Sequence, residues 1–293
     1  MRLLMSYGPA GAATTRSAGV RGGPVRKSRA LLVLPVVAAV GLTACGGPAS
    51  GTAAGTASSS SSAGGDLSGT LTVFAAASLT DVFGDLGDQL MAENPDLDVQ
   101  FNFAGSSALA TQLTQGAPAD VFASANEKQM TVVTDAGLQA ADPAVFTENV
   151  LEIAVPKGNP GNVTGLADFG DADLTLAVCA ADVPCGAAAA AVFADAGITA
   201  QPDTEEEDVK AALTKVQLGE VDAALVYATD VQAAGSDVEG IPFPEAEQEV
   251  NDYPICVLKA APNAAAGQAF VDLVQSDAGQ QALADAGFRA PTS

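Results

Sequence analysis

Serines and small residues collect where apolar runs of this chain give way to amphipathic ones. The stretch FAAASLTD, Phe74 to Asp81, sets Ser78 just past an apolar run and three positions before Asp81. FAGSSALATQ repeats the arrangement with Gly105, Ser106 and Ser107, and further starts follow at Cys185-Gly186 and at Asp208-Val209. A helix start carries unpaired backbone N–H groups and about half a positive charge, so several aimed at one point make an anion site. Residues such as Ala75, Ala76, Ala77, Ala104, Gly105 and Gly186 let backbone donors approach a compact ligand. Serine hydroxyls add neutral donors. Each start also has a plainer reading. Ser78 and Asp81 fit a capping box that needs no ligand, and only the recurrence of the pattern argues for a site.

The residue types that are missing narrow the chemistry. The chain has no histidine, which excludes a Ser-His-Asp system and the commonest zinc sites. Beyond Leu71 the only bases are Lys128, Lys157, Lys210, Lys215, Lys259 and Arg289, none in a GxxxxGK phosphate loop. A serine activated by lysine is a catalytic reading that these absences do not remove. Glu205 to Asp208 looks like a cation cluster, but acids in a first helical turn are favoured by the dipole and solvated, so no metal is assigned. Asp120, in PADVF, reads as a turn or cap group. Tyr227, at a strand end, reads by position as a core residue with a wet hydroxyl. An anion here is held by dipoles, and donor-only surroundings suit a fully ionised tetrahedral anion. A protonated one would want an acceptor carboxylate as well.

The elements that must position these residues alternate along the chain. Strands are expected at Leu71 to Ala76, Val99 to Phe103, Val121 to Ala123, Val150 to Val155, Leu174 to Cys179, Ala223 to Tyr227 and Tyr253 to Lys259. Helices are expected at Leu79 to Glu93, Ala108 to Gln115, Glu127 to Asp135, Gly186 to Ala196, Glu207 to Leu218 and Ala264 to Ala284. Strands alternating with helices give an α/β protein with mainly parallel sheets, and such folds bind ligands at the carboxyl ends of the strands. Two series are visible, with the last strand and the long C-terminal helix returning to the first. The expected division is 69–155 plus 241–293 for lobe 1 and 156–240 for lobe 2.

Charge and composition agree with an exported protein. The 293 residues are 48% hydrophobic, enough for a real core. Arg2, Arg16, Arg21, Arg26, Lys27 and Arg29 lie in the first 44 positions, and all 35 acids lie after them. Past residue 44, six bases face 35 acids, a net −29, which repels nucleic acid and anionic lipid. The basic stretch, the apolar run Ala30 to Ala44 and Cys45 read as a signal peptide over 1–44, with Met5 or a later residue an alternative start. Residues 45–68 are almost all Gly, Ala, Ser and Thr and read as a flexible tether. If Cys45 is taken by an anchor, Cys179, Cys185 and Cys256 remain, and one must stay unpaired. The local pair Cys179–Cys185 is favoured, with Cys185–Cys256 the rival.

Leu42-Thr43-Ala44-Cys45 resembles the lipobox of bacterial lipoproteins, which implies a lipid on Cys45 and attachment to the outer face of the cytoplasmic membrane. VFAAASLTD, FAGSSALATQLTQGAPADVFASAN, VLEIAVPKGNP, VPCG, EEDVKAALTKVQLGEVDAALVYATD and YPICVLK together resemble the molybdate-binding proteins of bacterial ABC importers, from about Leu71 to Phe288. The resemblance implies a type II periplasmic-binding-protein fold that closes on molybdate or tungstate and delivers it to a membrane permease as a monomer, without cofactor or catalysis. It also implies an oxyanion held by the hydroxyls of Ser78 and Ser106, the backbone at Cys185 and Val209, and the phenol of Tyr227. Many relatives carry alanine where Cys185 stands, a change that a backbone donor tolerates. Either Ser106 or its neighbour Ser107 could supply the second hydroxyl, and Ser106 is favoured. Sulfate or another tetrahedral oxyanion is the alternative ligand.

Overall fold

A computed structural model describes residues 67–292. The expected leader over 1–44, the expected lipidation site Cys45 and nearly all of the expected tether lie outside the described residues. From the N-terminal side run β1 (Ser68–Ala76), a 3-10 turn (Ala77–Leu79), α1 (Thr80–Glu93), β2 (Asp96–Ala104), α2 (Ser106–Thr114), β3 (Val121–Ala123), α3 (Glu127–Asp135) and β4 (Ala144–Asn149). Next come β5 (Leu151–Pro156), β6 (Leu176–Cys179), α4 (Pro184–Asp195), β7 (Thr204–Glu206), α5 (Val209–Gln217), β8 (Ala223–Tyr227), α6 (Ala228–Ala234) and β9 (Val238–Ile241). The chain ends with β10 (Asn251–Val257), α7 (Ala264–Gln275) and α8 (Asp277–Asp285).

Two five-stranded sheets result, in the orders β2-β1-β3-β10-β4 and β7-β6-β8-β5-β9. Each has three parallel strands followed by an antiparallel fourth, and the two fourth strands are exchanged. β10 returns from the far end of the chain to the first sheet, and β5 leaves the first series to join the second. The central strands carry continuous apolar runs because both faces are covered. In β1, Val73 and Ala75 face the α1/α7 side, where Phe83 stacks edge-on against Phe270 at 5.2 Å. Phe74 faces the opposite side, with Leu109 and Phe122 under α2 and α3. The second lobe has one continuous core around Leu176, Val192, Leu213 and Leu225.

The chain passes between lobes earlier and later than expected. The expected border at 155 put Val150 to Val155 in lobe 1, but only Val150 separates β4 from β5, and β5 pairs with β8 from Leu151↔Tyr227 to Ala154↔Ala224. Lobe 2 therefore begins at Leu151, where Ile153, Ala154 and Val155 find their apolar cover. It also runs past 240, because Ile241 pairs with Ile153, and Phe243 and Ala246 pack in the second core. Three short strands, β4, β7 and β9, were not expected. The single C-terminal helix expected at Ala264 to Ala284 is two helices, since Ser276 stops α7 and caps α8 by accepting from the Gly279 N–H at 3.1 Å.

Candidate functional site

The carboxyl ends of β1, β2 and β8, and the starts of α2, α4 and α5, meet at one cavity between the lobes. Ser78 and Ser106 line it from lobe 1, and Cys185, Val209 and Tyr227 line it from lobe 2. The structure thus brings all five expected residues together. The cavity is small and closely walled, on the scale of a single compact ion and far below a sugar or an amino acid. Among the described residues that line it, none is basic. The one acid, Asp208, is occupied as the cap of α5, accepting from the Ala211 N–H at 2.9 Å.

Ser78 does not cap a helix. It sits within the 3-10 turn, α1 starts two residues later, and no side-chain cap forms. Its Oγ lies 2.9 Å from the Tyr253 hydroxyl, while Asp81 reaches Lys210 of the other lobe at 3.0 Å. The capping box expected from local spacing therefore gives way to two long-range contacts. Ser106 Oγ accepts from the Ala125 N–H at 3.0 Å, which leaves its proton free to donate. The Tyr227 hydroxyl is buried and makes no hydrogen bond of ordinary geometry, with the Tyr253 hydroxyl close enough to interact with it. Burial holds this phenol protonated, with its pKa well above the ordinary value, so it also remains a donor. A buried polar atom without a hydrogen bond at the wall of a cavity marks a place for a ligand atom.

Two glycines set the approach of the walls. A Cβ on Gly105 would lie 2.4 Å from the Glu207 carbonyl of lobe 2, so bare backbone is required where the lobes touch. A Cβ on Gly186 would run into the Ala180 carbonyl, which lets α4 start directly over the loop from β6. Two further bonds cross the cleft. Gln129 Nε2 donates to the Asp182 carbonyl at 2.8 Å, and Lys210 bridges Asp81 of lobe 1 and Asp230 of its own lobe, the latter at 3.4 Å. Asp120, expected as a turn or cap group, is buried away from the cavity and accepts from the Thr72 and Asn263 N–H groups.

Asp230 lies beneath the site, accepting from the Tyr227 N–H at 3.2 Å. Burial pushes its carboxyl up from 3.8 to about 6, against the nearby Lys210 charge and the Tyr227 N–H, which lower it. A folded-state pKa above the unfolded one gives stability that is complete below pH 3.8 and lost as pH rises through about 6. The loss amounts to about 3 kcal/mol at 1.36 kcal/mol per pKa unit. Asp230→Asn stays neutral throughout. Its stability relative to the wild type should therefore rise between pH 4 and pH 6.5 and level off above, as read by urea unfolding at each pH.

A profile of the family described as bacterial extracellular solute-binding protein matches residues 71–289. The chain belongs to that family. The molybdate-binding protein ModA of Mycobacterium tuberculosis is 44% identical over 222 residues, covering 76% of this chain and 85% of its own length. The fold is similar to that of the periplasmic molybdate-binding protein of Azotobacter vinelandii (TM-score 0.65, 19% identity, 76% of this chain and 100% of that one). It is also similar to that of the sulfate-binding protein SubI of M. tuberculosis (TM-score 0.64, 17% identity, 76% and 87%). In this solute-binding protein two α/β lobes stand on either side of the cleft.

A covalent tie fixes part of the lobe 2 wall. Cys179 at the end of β6 is bonded to Cys185 in the first turn of α4, and Cys256 is free and buried in lobe 1. The rival pairing Cys185–Cys256 would have joined the two lobes. Closing so short a loop removes about 2 kcal/mol of unfolded-state entropy. Reduction should therefore lower the unfolding temperature of this solute-binding protein by about 5 °C, measured by calorimetry with and without dithiothreitol. Sequence reading missed Asn149, Tyr253, Gln129 and the Lys210–Asp81 pair. YPICVLK contains Tyr253, but nothing local shows that a residue of that strand touches Ser78, 175 positions away.

Proposed function

We propose that the protein is the extracytoplasmic receptor of an ABC importer, lipid-anchored through Cys45, that captures molybdate, and tungstate with it, and presents the closed form to the permease. The single observation that carries this reading is the buried Tyr227 hydroxyl, facing the same small cavity as two serines. The Ser106 oxygen is already accepting from protein, so its proton is available to a ligand. Hydroxyl donors and helix-start N–H groups from both lobes, with no basic residue and no free carboxylate, suit a compact dianion without protons. The 44% identical relative named as molybdate-binding supports molybdate over the other tetrahedral oxyanions. A catalytic serine is disfavoured, because no lysine shares the cavity with Ser78 or Ser106. The ligand would bridge the lobes, so binding and closure are one event.

The test is a thermal and calorimetric titration with molybdate, tungstate and sulfate. Molybdate at a hundred times its Kd should stabilise the protein by about 2.7 kcal/mol. Absence of both heat and thermal shift with all three ions would sink the reading. Sulfate binding more tightly than molybdate would move it to the sulfate alternative, whose fold SubI shares.

A further inference from the structure

The Ser78 hydroxyl can donate to a ligand or accept from one, and a chain of side chains behind it fixes the choice. The Val150 N–H donates to Asn149 Oδ1 at 3.0 Å, which turns the Asn149 amide nitrogen toward Thr229 Oγ1 at 2.8 Å and the Tyr253 hydroxyl at 3.5 Å. A flipped amide would set NH₂ against the Val150 N–H. The Tyr253 oxygen therefore receives a hydrogen from Asn149, and its own proton makes its hydrogen bond to Ser78 Oγ at 2.9 Å. In the reverse direction the Tyr253 oxygen would receive two hydrogens while its own proton was left with Tyr227 Oη, which stands near without forming a hydrogen bond. Tyr253 is fully buried, and burial keeps its phenol protonated.

We propose that Tyr253, oriented by Asn149, is a specificity-determining positioning residue that turns Ser78 toward donating to the oxyanion. This rests on the oxyanion reading of the cavity. Ser106 is fixed the same way by a backbone group, the Ala125 N–H, which no side-chain change removes. Ser78 is fixed by a phenol that can be deleted. With one lone pair of each serine already taken and its proton turned toward the ion, the hydroxyl wall is a poor acceptor for the proton of hydrogen phosphate or hydrogen arsenate. Without the Tyr253 hydroxyl, Ser78 Oγ is free to turn and accept one.

Molybdate Kd values by calorimetry for the wild type, Tyr253→Phe, Ser78→Ala and the double variant form a cycle. Tyr253→Phe should weaken molybdate binding about 10-fold in the wild-type background and less than twofold in the Ser78→Ala background. A general packing defect would instead cost the same factor in both backgrounds, and that result overturns the proposal. Inorganic phosphate at pH 8 should compete with molybdate in Tyr253→Phe and not in the wild type. Lack of competition in the variant also overturns it. A wild type that binds no molybdate, or a Ser78→Ala variant with wild-type affinity, would instead remove the oxyanion reading of the site.

Discussion

Gly105→Ala should fold like the wild type and bind molybdate at least 100-fold more weakly. Gly105 has φ −57° and ψ 134°, an extended conformation that alanine adopts without strain, so lobe 1 loses nothing. The unfolded chain also has slightly less freedom with alanine there, which favours the folded state. The added methyl collides with lobe 2 alone, 2.4 Å from the Glu207 carbonyl, so it acts only while the lobes are together. Relieving that overlap opens the cleft by more than half an ångström at the site. The donors at Cys185, Val209 and Tyr227 then withdraw from an ion held by Ser78 and Ser106. Losing two charge-assisted hydrogen bonds costs about 3 kcal/mol, or roughly 100-fold in Kd. Calorimetry should show the affinity loss, and solution scattering should show no compaction when ligand is added. Wild-type affinity in Gly105→Ala would mean that the contact between Gly105 and Glu207 is not part of the binding-competent form.

The cleft was legible in the sequence because its parts are local. A strand that ends in small residues and runs straight into a helix start declares itself within ten positions, and the Ser78, Ser106 and Cys185 junctions are all of this kind. The lobe borders were less legible, because the exchange of β5 and β10 depends on which sheet covers an apolar strand. Nothing within ENVLEIAVP says that pairing changes sheets at Val150. The short edge strand β7, Thr204–Glu206, is hidden for another reason: two of its three residues are acidic, and only its pairing with β6 makes it a strand. Ser78 and Asp81 show the limit of spacing arguments. A perfect capping interval was present, yet Tyr253 and Lys210, each more than a hundred residues away, claim the two side chains.

Tyr227→Phe separates a binding role from a packing role most sharply, because the two put the loss in different measurements. If the hydroxyl served the core, removing it would cost stability and leave binding unchanged. The hydroxyl makes no hydrogen bond within the protein, so removing it breaks none, and the ring keeps its edge-on contact with Tyr253 at 6.0 Å. Stability without ligand should therefore change by less than about 1 kcal/mol. The same change removes a neutral donor from a dianion in a site with no basic residue to compensate, at about 1.5–3 kcal/mol, or roughly 10- to 150-fold in Kd. Thermal unfolding without ligand and calorimetry with molybdate read the two effects on one sample. A variant that is less stable but binds normally would return Tyr227 to the core. A variant of unchanged stability that binds weakly would show that the hydroxyl in the lobe 2 wall serves the ion that closes the cleft.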